Sequence, residues 1–502
     1  MNRLVTARVA ESTDWRAVVD RGLRQAKAQS DIPGFVLMVQ LICQILEGDG
    51  RLEDGLAEVD HALNFASNSA DIGAILNGLK ASMQAAMGRP DDAKRTLAKG
   101  LAALPRASAE AGVRYRVFRK VALWQSFEDE TGEPATALVK ACAELGLERD
   151  RAFLVSWYVP WLANIGDRRT AHPIIRDLRQ EAADAHSMWR LSDAVAFGVW
   201  DSYFGSDRFD PAIGEVDRRN ALAVWRAEGV RLRDAMLRAD SDRCSEGLQK
   251  LVKARRRLSS AEVGTIEQFE AAVAITSGSL EELRTGSPPA RSTLVGLGAV
   301  LAEAESVAYL GSQRACGEWS ERLDAILPGT AMTSLAWPVS RLRIVGLLAL
   351  RAGNVNRARV LLQDAVDWTA AQGFVVENAL SRLQLGELCA SAEVKVPERT
   401  WKTHRREGAE AMRQHGYNPL PHVYAAAHSL TLSGRNRLAE RLTPREVQVL
   451  GLLADGTTYA EAASALSIEK SSVQTLAHRV YQKLGVSGKD AAVQEAKRLG
   501  VL

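Results

Sequence analysis

At 502 residues the chain is too long for one ordinary hydrophobic core, which points to several domains or a repeat array. Hydrophobic residues at 46% and charged residues at 25% are average for a folded, soluble protein. The 64 Lys and Arg nearly cancel the 61 Asp and Glu, leaving a net charge of +3 and no whole-chain electrostatic case for nucleic-acid binding.

The N-terminus shows no charged-then-apolar leader, and no uninterrupted apolar run approaches membrane length. Cys43, Cys142, Cys244, Cys316 and Cys389 stand far apart, with no metal-ligand or redox spacing. They are expected as small core residues of a reduced, cytoplasmic protein without a membrane partner.

Residues 15–414 read as almost continuous helix, rich in Ala, Leu, Arg and Glu and without long strand-like alternation. One turn signal recurs there. A glycine is followed five residues later by a small residue at Gly50/Gly55, Gly88/Ala93, Gly132/Ala137, Gly166/Ala171, Gly311/Cys316 and Gly353/Ala358. Glycine lets the chain leave a helix in the left-handed conformation, and the small residue lets the next helix pack closely. Asp201 to Asp210 and Ala239 to Ser245 read as two degenerate versions of the same turn. A single hairpin cannot bury its own apolar face, so the pattern predicts stacked hairpins, a helical solenoid.

Pro288 and Pro289 form the clearest interior break, near 285–290, either between two solenoid halves or in a long loop. The tryptophans, among them Trp157, Trp161, Trp189, Trp200 and Trp225, are expected mainly in the core between repeats, with a ligand groove as the alternative. Lys253 with Arg255, Arg256 and Arg257 reads as a solvated basic face. His415, His422 and His428 read as exposed or capping histidines rather than metal ligands. The array is assigned to 1–415. A linker follows at 416–437, marked by Pro419, Pro421 and Gly434; Arg435 and Arg437 in it read as solvated.

The last segment, 438–502, holds four short helical patterns. The first has Thr443 as cap, Pro444 at the first helical position and Glu446 reaching back to the cap; Asp455 and Gly456 end it. Thr458 with Glu461 repeats that capping box for a second helix through Leu466. A third runs from Glu469 or Ser471 to Leu484, and a fourth opens at Ser487 with Asp490 in its first turn. In the third, Val473, Ala477, Val480 and Leu484 form one inward stripe, with Gln474, Thr475, His478 and Gln482 on the other side. A helix, a short turn and a second helix with a polar outer face fit the DNA major groove. Gln474, Thr475 and His478 are the candidate base readers. Arg445, Lys470, Arg479 and Lys483 are the candidate phosphate partners.

These residues carry a resemblance. Leu442 to Glu446, Val449, Leu450, Leu452 to Ala454, Gly456, Glu461, Ala463, Leu466, Val473 and Lys483 to Val486 agree in register with the LuxR-type helix-turn-helix, as do Ala491 to Val493 and Leu499 to Leu502. The resemblance implies that the third helix recognises double-stranded DNA and that the fourth pairs two copies into a homodimer. Where that family usually carries Lys, His and Lys, this chain has Gln474, Leu476 and Ala460. The hairpin period resembles tetratricopeptide-like repeats, and 351–374 resembles the helical sensor region of large LuxR-family regulators of the maltose-activator type.

Those large regulators carry a nucleotide-binding domain, but no glycine-rich phosphate loop ending in Gly-Lys-Ser/Thr is present here. No His-Glu-x-x-His pair, Gly-x-Ser-x-Gly elbow or Cys/His cluster points to an enzyme, and no cofactor or metal is implied. The expected fold class is all-α: a tetratricopeptide-like helical-hairpin solenoid, then a four-helix LuxR-type helix-turn-helix domain. The expected function is a sequence-specific transcription regulator whose array senses a small molecule or a protein. The alternative is an interaction scaffold with a degenerate helix-turn-helix.

Overall fold

The computed structural model describes residues 15–48, 51–65, 68–128, 133–184, 188–204, 216, 220–238, 240–254, 269, 296–326, 332–390, 397–417, 442–466, 468–484, 486 and 488–498. The described residues are all-α, with no strand. In chain order the helices are α1 (Trp15–Ala28), α2 (Ile32–Gly48), α3 (Leu52–Phe65), α4 (Ala70–Ala86), α5 (Pro90–Ala103), α6 (Ala109–Gln125), α7 (Ala135–Glu144) and α8 (Glu148–Ile165). Then come α9 (Arg168–Asp184), α10 (Met188–Phe204), α11 (Ala221–Arg238), α12 (Ser241–Ala254), α13 (Leu297–Leu310) and α14 (Gln313–Ile326). The array closes with α15 (Arg341–Arg351), α16 (Val355–Gln372), α17 (Val375–Ala390) and α18 (Glu398–Gln414). The C-terminal module holds α19 (Pro444–Ala454), α20 (Tyr459–Ala465), α21 (Lys470–Leu484) and α22 (Lys489–Arg498). No described helix is long and apolar enough to cross a membrane.

Two kinds of helix alternate through much of the array. α5 buries only Ala93, Thr96, Leu97 and Gly100, and α7 only Ala135, Leu138 and Cys142. Those are single stripes at helical spacing, the mark of an outer helix. By contrast α6, α8, α11 and α17 bury residues around most of their circumference. Neighbouring helices pack in sequence, and inner helices also pack on the next inner one, α4 on α6, α6 on α8 and α13 on α15.

The glycine signal works as expected at Gly88, Gly166 and Gly353, whose φ angles are 75°, 80° and 91°. Ala93, Ala171 and Ala358 behind them are buried. Two positions depart from it. Gly311 leaves α13 in extended conformation at φ −63° and ψ 153°, although Cys316 is buried as expected. Ala137 is exposed, and α7 brings Ala135 and Leu138 to the core instead; Gly132 itself lies outside the described residues. Of the degenerate turns, Ala239 to Ser245 is mostly helix: residue 239 lies outside the described residues, Asp240 precedes α12, and 241–245 are its first residues. Asp201 likewise lies inside α10, and 205–210 fall outside the described residues. Pro288, Pro289 and Arg255 to Arg257 also fall outside them. Trp157, Trp161, Trp200 and Trp225 are core residues.

The array also makes contacts that a strictly nearest-neighbour stack lacks. The Asn164 carbonyl accepts the amides of Met332 and Thr333 at 2.8 and 3.1 Å, and its side-chain oxygen accepts Leu335 N at 3.2 Å. Arg169 donates to the Ala371 carbonyl at 2.9 Å, and the rings of Phe204 and Phe374 lie 4.0 Å apart. These contacts join α8–α10 to the stretch that runs into α15–α17.

At the heart of that junction sit four buried charges from four helices. Arg233 grips Glu305 with two bonds of 2.8 Å. Arg343 reaches Glu305 at 2.9 Å and Glu377 at 2.7 Å. The Trp337 indole donates to Glu305 and the Ser340 amide to Glu377. Burial by itself would raise the Glu305 pKa, but Arg233 and Arg343 outweigh it and hold the carboxyl below its ordinary value. The chain after α18 is drawn into the same body: Tyr417, two residues past the expected end of the array, is buried beside α11.

Candidate nucleic-acid interface

α19 begins as its sequence dictates. Thr443 accepts the Glu446 amide at 3.3 Å, and Glu446 Oε2 accepts the Thr443 amide at 2.6 Å. Gly456 ends the turn after it at φ 87°. α20 repeats the box, with Glu461 N donating to Thr458 Oγ1 at 3.3 Å and Thr458 N to Glu461 Oε2 at 2.7 Å. The hydrogen bonds from Thr458 hold the Glu461 carboxyl below its ordinary pKa. Each box satisfies two amides that the helix itself cannot, worth about 1 kcal/mol per cap.

The module has two small cores. Val449, Leu453, Ala462, Ala463, Val473 and Ala477 join α19, α20 and α21. Leu450, Val480, Ala492 and Ala496 join α19, α21 and α22. The expected inward stripe is therefore in place, with Val473, Ala477 and Val480 buried and Leu484 half-buried.

That stripe fixes what α21 shows outward. Gln474, Thr475 and His478 are exposed, as are Lys470 and Arg479. Thr475 donates its hydroxyl to the Ser471 carbonyl at 2.9 Å, so toward a base it offers an acceptor and a methyl group. The side chains of Gln482 and Lys483 lie outside the described residues. Leu476, where the resembled pattern has His, is half-buried against the first core, whereas Ala460 is exposed.

Arg445 is placed differently from the other cations. It is half-buried, donating to the Leu466 carbonyl at the C-cap of α20 at 2.7 Å and to Gln448 at 3.0 Å. It thereby braces α19 against the end of α20. Among the described residues no group of three His, Cys, Asp or Glu side chains is arranged to hold a metal. His415 lies at the C-cap of α18 with Nδ1 2.9 Å from the Ala411 carbonyl; His422 and His428, like Arg435 and Arg437, lie outside the described residues.

Two contacts carry no sequence signal. The hydroxyls of Tyr459 on α20 and Tyr481 on α21 meet at 2.8 Å. Burial, followed by the bond from Tyr459, pushes the Tyr481 hydroxyl pKa up, so it stays neutral. Lys489 Nζ donates to the Thr457 carbonyl at 2.9 Å, tying α22 to the turn before α20.

Residues 440–496 match the family model of bacterial regulatory proteins, luxR family. No solved structure matches the chain. The C-terminal module is therefore a LuxR-family helix-turn-helix domain, and a DNA-binding regulatory role follows for it.

Proposed function

We propose that the chain is a sequence-specific transcription regulator in which α21 enters the major groove and the helical array controls when it does so. One observation carries this reading. The outward face of α21 presents Gln474, Thr475 and His478 together, all exposed, while its opposite face is locked into two cores. Those side chains exchange hydrogen bonds with base edges, and Lys470, Arg479 and Lys483 supply charge for phosphates. Arg445, bonded to the Leu466 carbonyl, braces the module rather than contacting phosphate. Two copies joined through α22 on paired half-sites offset the weak field of a module with eight Lys or Arg against six Asp or Glu from 441 to 502. The effector, a small molecule or a protein, acts on the array.

Gel shifts test this. Gln474→Ala with His478→Ala relaxes sequence preference by ~1–3 kcal/mol per lost base contact. Equal loss on a selected duplex and a scrambled one would move both residues to phosphate contact. The scaffold reading draws on the same weak charge and on Gln474, Leu476 and Ala460 standing where Lys, His and Lys are usual. Under it, the full-length protein shows no salt-dependent binding to duplex DNA.

A further inference from the structure

We propose that Tyr459 and Tyr481 are positioning residues for base readout: their shared hydroxyl hydrogen bond sets the angle at which α21 meets DNA. The inference rests on the DNA-reading role of α21. While the larger Leu466, Ile468 and Leu476 are only half-buried, the fully buried side chains that α20 and α21 give to their shared core are small, Ala462, Ala463 and Ala477 with Val473. Contacts of that size hold two helices together but resist rolling of one on the other only weakly, because dispersion is non-directional. A hydroxyl pair at 2.8 Å is directional and weakens steeply when bent.

Its placement suits the role. Tyr481 is three residues beyond His478, so the two side chains are neighbours on the surface of α21. The Tyr481 ring also packs against both cores of the module, where a change in its position is felt by α19 and α22 as well. Tyr459 is the first residue of α20, just after the Thr458 capping box. The turn that leads into it is tethered to α22 by Lys489. One end of the bond is thus fixed to the framework, and the other is carried by the reading helix. Bonds to base edges tolerate little displacement, whereas flexible Lys and Arg side chains follow a phosphate through a small roll.

The test uses full-length protein carrying Tyr459→Phe, Tyr481→Phe or both, which keep the rings and remove only the hydroxyls. The probes are a duplex enriched by the wild-type protein from a random library and a scrambled duplex of the same composition. Each single change is expected to lower the affinity ratio between the two by about two- to tenfold, with scrambled-duplex affinity unchanged. The double change costs no more than either single one, because both remove the same bond. An unchanged ratio in both single variants overturns the inference. So does equal loss on both duplexes accompanied by a lower melting temperature, which marks a purely structural bond. If the wild-type protein enriches no duplex, the DNA-reading role itself fails, and this inference with it.

Discussion

Tyr417 donates its hydroxyl to Asp234 Oδ1 across 2.7 Å, joining the chain just past α18 to a helix 183 residues earlier. Arg238 completes the contact, bonding Asp234 at 3.0 Å and lying 4.5 Å over the Tyr417 ring. The residue before Asp234 is Arg233, which holds Glu305 in the buried charge cluster. One turn of α11 therefore touches both the centre of the array and the point where the chain leaves it toward the DNA-binding module. Tyr417→Phe keeps the ring and leaves Asp234 to Arg238 alone. It is expected to destabilise the array by about 1–3 kcal/mol, the cost of a hydrogen bond to a charged partner. A melting temperature equal to that of the wild type would show the bond to be idle.

Removing one member of the charge cluster leaves its partners charged and buried. Glu377→Gln is expected to cost ~3–5 kcal/mol in thermal or denaturant unfolding, since Arg343 then keeps Glu305 and the neutral Tyr309 hydroxyl but loses its second carboxylate. Arg343 and Glu377 are fully buried, so water cannot take over the lost partner's role.

The cluster also implies a pH dependence. Burial favours the neutral form of Glu305, but the two arginines prevail and its folded pKa lies below the ordinary value. Its stabilising contribution is complete above the unfolded Glu value of about 4.3 and is lost as pH falls below it. Glu305→Gln lacks that contribution at every pH. The gap in melting temperature between wild type and variant is thus expected to narrow on acidification below about pH 4.3. A constant gap would contradict this.

Much of the C-terminal module was legible because its signals are local. Each capping box lies within four consecutive residues, and the α21 stripe repeats at helical spacing. The buried charges were not legible, since Arg233, Glu305, Arg343 and Glu377 come from four helices and each alone reads as an ordinary surface charge. Tyr459 and Tyr481 stand 22 residues apart, and nothing in either local pattern asks for the other. The glycine rule failed at Gly311 because a helix can also end in extended backbone, and at Ala137 because the stripe of α7 starts two residues earlier.

The cysteines are expected to be inert while the protein is folded. All five are buried. Burial pushes the thiols of Cys142 and Cys244 up to about 11, and raises those of Cys43 and Cys389 as well. Alkylation by iodoacetamide at mildly alkaline pH should be slow in the native protein and reach all five on denaturation. Rapid labelling of one of them in the native state would locate an opening of the array.

Phosphate partners and braces separate by their salt dependence. Lys470→Gln and Arg479→Gln are each expected to reduce the slope of log affinity against log salt by about one. Arg445→Gln, which breaks the bond to Leu466, is expected to lower the melting temperature and leave that slope unchanged. A slope change for Arg445→Gln as large as for Lys470→Gln would make it a phosphate contact first.

The most direct measurement is selection of duplexes from a random library by the full-length protein at low ionic strength, alongside the Gln474→Ala/His478→Ala variant. The wild type is expected to enrich one motif, and the variant to keep salt-dependent binding while that motif blurs. A wild-type protein that recovers no enriched sequence, or a variant that enriches the same motif equally well, would contradict the claim that the exposed face of α21 reads DNA.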